Sequence, residues 1–163
     1  MKGKYILIVY GIGGHKEQMK RLLGLLDIKN KTGNVKIVAL CEKNAFLEEV
    51  DECIEIPDMR NKYYKSMVFI DAPYSLFVSI FMIFKILKKY DIAYMISSGP
   101  GLVLPAAIIF KILNKKIIFI ETWSRYNTKS LTGRFMHKLS DKFYVQNESL
   151  LKLYENAIYS GRL

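Results

Sequence analysis

Tyr5-Ile6-Leu7-Ile8-Val9-Tyr10, followed at once by Gly11-Ile12-Gly13-Gly14-His15, is the stretch that decides how this chain folds. Six apolar residues in succession read as a parallel strand covered on both faces, since a half-solvated strand would alternate apolar and polar side chains. The glycines behind it permit a tight turn at positive φ, and a helical pattern opens immediately. The free N–H groups and positive dipole end of such a helix start invite an anion, or an oxygen near one.

The same alternation continues along the chain. Strands are expected at 4–10, 35–41, 53–57, 91–97, 116–121 and 142–146, and helices at 14–26, 44–50, 73–89, 101–113 and 131–138. This order predicts an α/β fold: one Rossmann-like domain over 1–163, a doubly wound parallel sheet with right-handed crossovers. Ligands in that architecture bind beyond the carboxyl ends of the strands. Three post-strand segments should therefore meet at one edge: Gly11–His15, Ser97-Ser98-Gly99-Pro100-Gly101, and Glu121-Thr122-Trp123-Ser124-Arg125.

A chain of 163 residues is long enough to bury about two thirds of its unfolded surface in one core. Its 51% hydrophobic content argues against disorder. The net charge of +10 suits phosphates, nucleic acid or an anionic membrane surface. No nucleic-acid-binding motif accompanies the charge, so a nucleic-acid partner is disfavoured. Cys41 and Cys53 form no C-x-x-C pair, and with His15 and His137 as the only histidines no metal-ligand spacing can be assembled. The expectation is a reduced, cytoplasmic protein without metal or cofactor. The first apolar run is too short for a signal-peptide core.

His15 can be read as a general base or as a polar residue in the first turn of a helix. Ser98-Gly99-Pro100-Gly101 is either a second backbone cradle or a tight strand-to-helix turn. Glu121 and Arg125 form an ion pair or hold a hydroxyl and a phosphate, with Ser124, Ser130 and Thr132 adding hydroxyls nearby. The loop departs from G-x-G-x-x-G at Lys16 and lacks the Gly-Lys-Ser/Thr of a P-loop. A stand-alone nucleotide- or dinucleotide-binding enzyme using Gly11–Gly14 and Glu42 stays open as the alternative. From Ala72 to Phe84 there is no charge, and Lys85, Lys88 and Lys89 follow. That segment is shorter than the roughly 20 residues of a bilayer span. It reads as a core helix or as an in-plane membrane contact through Phe77, Phe81 and Phe84.

Taken together, Gly11-Ile12-Gly13-Gly14-His15 with Glu17 and Met19, Ser98–Gly101 with Pro105, Glu121-x-x-Ser124-Arg125 with Ser130-Leu131-x-Gly133, and Asp141-x-Phe143-x-Val145-Gln146 resemble one family in order and spacing. The family comprises the PssD-type bacterial polysaccharide proteins and their eukaryotic relative, the Alg-fourteen-like membrane subunit of a two-chain UDP-GlcNAc transferase. The resemblance covers almost the whole chain and departs from the family at Thr122 and Trp123. It implies the amino-terminal, acceptor-side half of a GT-B glycosyltransferase. The UDP-sugar donor would be held mainly by a separate donor-binding partner subunit, and the acceptor would be a polyprenyl-pyrophosphate-linked sugar. His15 would be catalytic. Gly11, Gly13, Gly14, Glu17, Ser98, Gly99, Gly101, Glu121, Ser124, Arg125, Ser130 and Gln146 would bind substrate. Tyr159, Gly161, Arg162 and Leu163 would dock the partner. The eukaryotic members begin with a membrane-spanning segment not seen here, so attachment is expected to be peripheral, on an anionic inner membrane face, in capsule or exopolysaccharide synthesis.

Overall fold

The computed structural model describes residues 5–26, 35–56 and 68–163, with side chains of the last stretch from Leu76 onward. Lys4 and Pro57, at the ends of two expected strands, and the side chains of residues 72–75 lie outside the described residues. Seven strands form a single sheet: β1 (Tyr5–Tyr10), β2 (Lys36–Glu42), β3 (Glu52–Ile56), β4 (Ile92–Ser97), β5 (Lys116–Ile120), β6 (Lys142–Val145) and β7 (Ile158–Tyr159). Their order is β3-β2-β1-β4-β5-β6-β7, and every pairing is parallel. Among the described residues, four α-helices join them: α1 (Gly14–Leu26), α2 (Val68–Lys89), α3 (Val103–Ile112) and α4 (Leu131–Leu139).

Successive side chains of β1 point to opposite faces, and both faces are dry. Ile6, Ile8 and Tyr10 pack with Met19 and Leu23 of α1. Leu7 and Val9 pack with Ile83 and Ile86 of α2, Ala106 and Phe110 of α3, and Met136 of α4. Helix α1 thus covers one face while α2, α3 and α4 cover the other. The chain leaves β1 through α1 toward β2 and leaves β4 through α3 toward β5, so adjacent β1 and β4 send their connections to opposite faces. A crevice opens between their carboxyl ends.

Three local expectations are revised. Residues 44–50 form turns rather than a helix, because Ala45, Leu47 and Val50 are buried at a spacing that anchors a loop over the α1 face. Helix α2 begins at Val68, upstream of Asp71 and Pro73. The thiols expected to be free are joined: parallel pairing of Ala39 with Cys53 sets Cys41 diagonally beside it, and the structure holds Cys41 and Cys53 as a disulfide. A 3₁₀ turn at Glu148–Lys152 and edge strand β7 complete the chain.

Within α2 the reading of a purely internal helix fails on one side. Ser79, Ile83 and Ile86 face the core, whereas Phe77, Phe81 and Phe84 are 71%, 60% and 48% exposed. Ile83→Ala should therefore lower the unfolding free energy by about 2–5 kcal/mol. Phe81→Ala should change it by less than about 1 kcal/mol. Denaturant titration of both variants measures the difference, and equal losses would contradict this assignment of faces.

Candidate functional site

The glycines after β1 serve the backbone. Gly11 is buried, and a Cβ there would lie 2.7 Å from both Glu42 Oε2 and Pro100 Cδ. Gly13 takes a left-handed φ of 65° at the entry to α1. Beyond them His15 is held against the loop after β4: its Nδ1 lies 2.7 Å from the Ser98 carbonyl oxygen. A carbonyl only accepts, so Nδ1 carries the proton of this bond and Nε2 is the nitrogen with a free lone pair in the neutral ring. Gly99, at φ 95°, leaves space for that ring, since a Cβ would sit 2.9 Å from His15 Cε1.

The β4 loop is tied down in turn. Ser97 Oγ donates to the Val9 carbonyl at 2.7 Å and accepts from Gly99 N–H at 3.1 Å, and Ser98 Oγ donates to the His15 carbonyl at 3.2 Å. Ser97 carries this stitching; both serines are buried, and two successive serines in the sequence gave no sign which one reaches across to β1.

A cavity of about 550 Å³ opens beside these loops, lined by His15, Ser98, Gly99, Gly101, Glu121, Thr122, Ser124, Arg125, Ser130 and Thr132, with Glu42 at its wall. The amino ends of α1, α3 and α4 all come to this wall, so three positive dipole ends converge on one space. The two carboxylates at the wall are already engaged. Glu42 Oε2 accepts the Ile12 N–H at 2.9 Å, which weakens its case as a ribose ligand. Glu121 is 1% exposed and accepts from Thr122 N–H at 2.9 Å, from Ser130 Oγ at 2.8 Å and from the Tyr154 hydroxyl. Burial first, then this bond to Glu121, pushes the Tyr154 phenol well above its ordinary range, so it remains the donor.

Arg125 does not pair with Glu121. Its guanidinium bonds Thr128 Oγ1 at 3.1 Å within an exposed loop at the mouth. Ser130 both donates to Glu121 and caps α4, accepting the Gly133 N–H at 2.8 Å. Ser124 Oγ meets Thr122 Oγ1 at 3.1 Å, so Thr122 belongs to the cavity wall rather than being a bystander within the motif.

Several expected site residues lie elsewhere. Glu17 is exposed on α1 and pairs with Arg21 at 3.1 Å, because a helix turns residue 17 away from the edge that residue 15 faces. Gly11, Gly13 and Gly14 shape the entry to α1 without forming the cavity wall. Gln146 is buried behind the site: its Nε2 donates to the Glu121 carbonyl at 3.0 Å, and its Oε1 accepts the Leu163 N–H at 3.0 Å. It ties Leu163 to the Glu121 segment and lines a separate cavity beside Gly161–Leu163, not the one His15 faces. Gln18 of α1 reaches the same carbonyl at 3.4 Å. Tyr159 lies on edge strand β7, Gly161 takes φ 93°, and Arg162 stacks 5.7 Å over the Tyr126 ring.

Gly133 tests the closeness of packing around the buried carboxylate, since a Cβ there would fall 1.9 Å from Glu121 Oε2 and 2.5 Å from the Tyr154 hydroxyl. Gly133→Ala should cost about 3 kcal/mol of stability, at the upper end for overpacking. Tyr154→Phe should cost about 1–3 kcal/mol by removing a donor from a buried acceptor. Thermal or urea denaturation decides both, and wild-type stability of Gly133→Ala would refute the packing described.

Comparison with known proteins agrees with this geometry. Solved structures share the fold over 99% of this chain: MurG of Acinetobacter baumannii, with TM-score 0.63 and 12% identity, and UDP-N-acetylglucosamine 2-epimerase of Rickettsia bellii, with TM-score 0.67 and 15% identity. The chain spans 44% and 45% of those two proteins. In sequence it is 31% identical to the UDP-N-acetylglucosamine transferase subunit ALG14 of Candida albicans, covering 96% of this chain and 76% of that one. It is 30% identical to the human protein of the same name, covering 97% and 82%. With residues 6–163 matching the family model as well, the chain belongs to the oligosaccharide biosynthesis protein Alg14-like family.

Proposed function

We propose that this chain is the acceptor-side, membrane-recruiting subunit of a UDP-sugar glycosyltransferase divided between two polypeptides. In this reading it is a PssD-type member of its family. It extends a polyprenyl-pyrophosphate-linked sugar in capsular or exopolysaccharide synthesis at the inner face of the cell membrane. The observation that carries the reading is the cavity at the β1/β4 crevice. Three helix amino ends converge there, Glu42 and Glu121 are engaged by internal donors, and Arg125 stands at the mouth. That balance suits a pyrophosphate. A donor-binding half is then supplied by a separate chain, docked at Tyr159–Leu163.

In the assembled site the Ser98 carbonyl fixes the His15 ring through Nδ1–H, which leaves Nε2 to take the proton of the acceptor hydroxyl. The freed oxygen attacks the anomeric carbon of the donor from the face opposite the nucleotide. The carbon–oxygen bond to UDP breaks with its electron pair on the diphosphate, and the configuration inverts. Backbone amides at the starts of α1 and α3 supply fixed positive ends near the developing charge.

Recruitment rests on α2. Phe77, Phe81 and Phe84 form one exposed stripe, followed by Lys85, Lys88 and Lys89, although Lys89 is also held by Glu52 at 2.9 Å. No helix among the described residues is long and apolar enough to cross a membrane. Apolar burial at the interface and attraction to anionic lipid act together on such a stripe.

Two experiments follow. Purified chain mixed with UDP-sugar and lipid-linked acceptor should transfer nothing until the donor-binding partner is added, and turnover by the chain alone would overturn the divided-enzyme reading. In the complex, His15→Ala should lower turnover by about 10²–10⁴-fold with partner binding unchanged. His15→Asn should be equally impaired, because an amide can occupy a first-turn position but accepts no proton at neutral pH; near wild-type turnover of this variant would give His15 a structural role.

The α2 stripe is tested separately by flotation. The chain should float with anionic liposomes, and Phe77→Glu with Phe81→Glu should release it at an unchanged melting temperature. Unfolding of that variant would return α2 to the core.

A further inference from the structure

The face of the sheet opposite α1 has an uneven charge distribution. From Leu76 on, α2 contains no Asp or Glu, and neither do α3 and α4. Each helix presents apolar residues outward: Ile108 and Ile112 on α3, and Leu131 and Phe135 on α4, the last two 72% and 53% exposed. Helix α3 packs between α2 and α4, so these outward residues belong to one layer.

Beside Phe135, away from the His15 cavity, lies a second cavity of about 380 Å³, lined by Lys129, Arg134, Phe135, His137, Lys138 and Tyr154. Its walls contain three permanent cations and no carboxylate. Lys129 Nζ is held 4.8 Å over the Tyr154 ring. None of the three cations has an ion-pair partner within the described residues. His137 is fixed by its Nε2–H to the Glu155 carbonyl and by edge contact with Phe143. The Tyr154 hydroxyl is turned inward to Glu121, which leaves the ring as an apolar floor. An aromatic floor with an unpaired cationic rim complements a phosphate attached to an apolar body.

We infer that this cavity binds the phosphate of an anionic lipid headgroup, with Leu131 and Phe135 entering the interface beside it. A lipid is favoured over a free phosphate because the cavity opens among exposed apolar side chains that a soluble anion would leave in water. The site is separate from the α2 stripe and from the acceptor cavity. Leu131 and Thr132 border the acceptor cavity, whereas Arg134, Phe135 and Lys138 border this one, about a turn further along α4. A headgroup held here would bring the mouth of the acceptor cavity close to the bilayer. The binding itself does not depend on the glycosyltransferase reading.

The test uses the whole purified chain in flotation with phosphatidylcholine vesicles, with and without phosphatidylglycerol. Arg134→Gln with Lys138→Gln should lower partitioning onto the anionic vesicles by about 30-fold, given about 1 kcal/mol per basic residue near the surface. Lys20→Gln with Lys43→Gln, which removes equal charge from other parts of the surface, should leave partitioning near that of the wild type. Equal losses from both pairs would overturn the site in favour of general charge attraction. Unchanged binding by the Arg134/Lys138 pair would also overturn it. Thermal stabilisation by inorganic phosphate that needs Arg134 and Lys138, without any vesicle effect, would assign the cavity to a soluble phosphate instead. Melting curves report folding of each variant, and Lys138→Gln alone, at an exposed position in the last turn of α4, repeats the measurement if the pair is unstable. Because no partner or donor is present, failure here leaves the transfer assay untouched, and failure of the transfer assay leaves this result standing.

Discussion

A buried carboxylate at Glu121 is the constraint around which the carboxyl edge of this sheet is arranged. Removing such a charge from water is costly unless donors replace the solvent, and three do: the Thr122 amide, the Ser130 hydroxyl and the Tyr154 phenol. Each donor fixes a different piece of chain. Thr122 starts the loop at the cavity mouth, Ser130 caps α4, and Tyr154 follows the 3₁₀ turn after β6. Gly133 has no side chain because the carboxylate occupies the space where a Cβ would be. On the backbone side, the Glu121 carbonyl accepts from Gln18 and Gln146, and Gln146 in turn holds Leu163. One residue thus connects α1, α4 and the chain end.

That connection gives the proposed partner surface a physical route to the proposed acceptor cavity. The two are separated by a single side chain, Gln146, whose amide is bonded at both ends. Across the crevice, the β1 and β4 loops are bound to each other through Ser97, Ser98 and His15 rather than through solvent. The cavity is consequently formed by two stitched lobes on a rigid parallel sheet. Such an arrangement favours preorganised binding of an anionic group over closure of a flexible loop around it.

The fold was legible in the sequence because the strands are continuous apolar runs bounded by turns, and Tyr5–Tyr10 with its trailing glycines set the topology. Boundaries depended on tertiary contacts. Residues 44–50 have a helical spacing of apolar side chains, yet Ala45, Leu47 and Val50 use it to anchor turns. The site was legible where residue type and edge position coincide, as at His15, Ser98 and Ser130. It was illegible where a bond joins distant residues. Nothing local marks Gln146 as a support, Tyr154 as the donor to a carboxylate 33 positions away, or Cys41 and Cys53 as neighbours across β2 and β3. Glu17 lay within the motif in sequence, but helical geometry turned it outward.

The central claim is that the acceptor binds in the β1/β4 crevice of this chain. Photolabelling with a polyprenyl-pyrophosphate sugar carrying a diazirine addresses it directly, with the partner present and donor absent. The account predicts crosslinks on this chain within residues 98–102 and 122–132, competed by unlabelled acceptor. Crosslinks confined to the partner chain, or to this chain's α1 face, would contradict it.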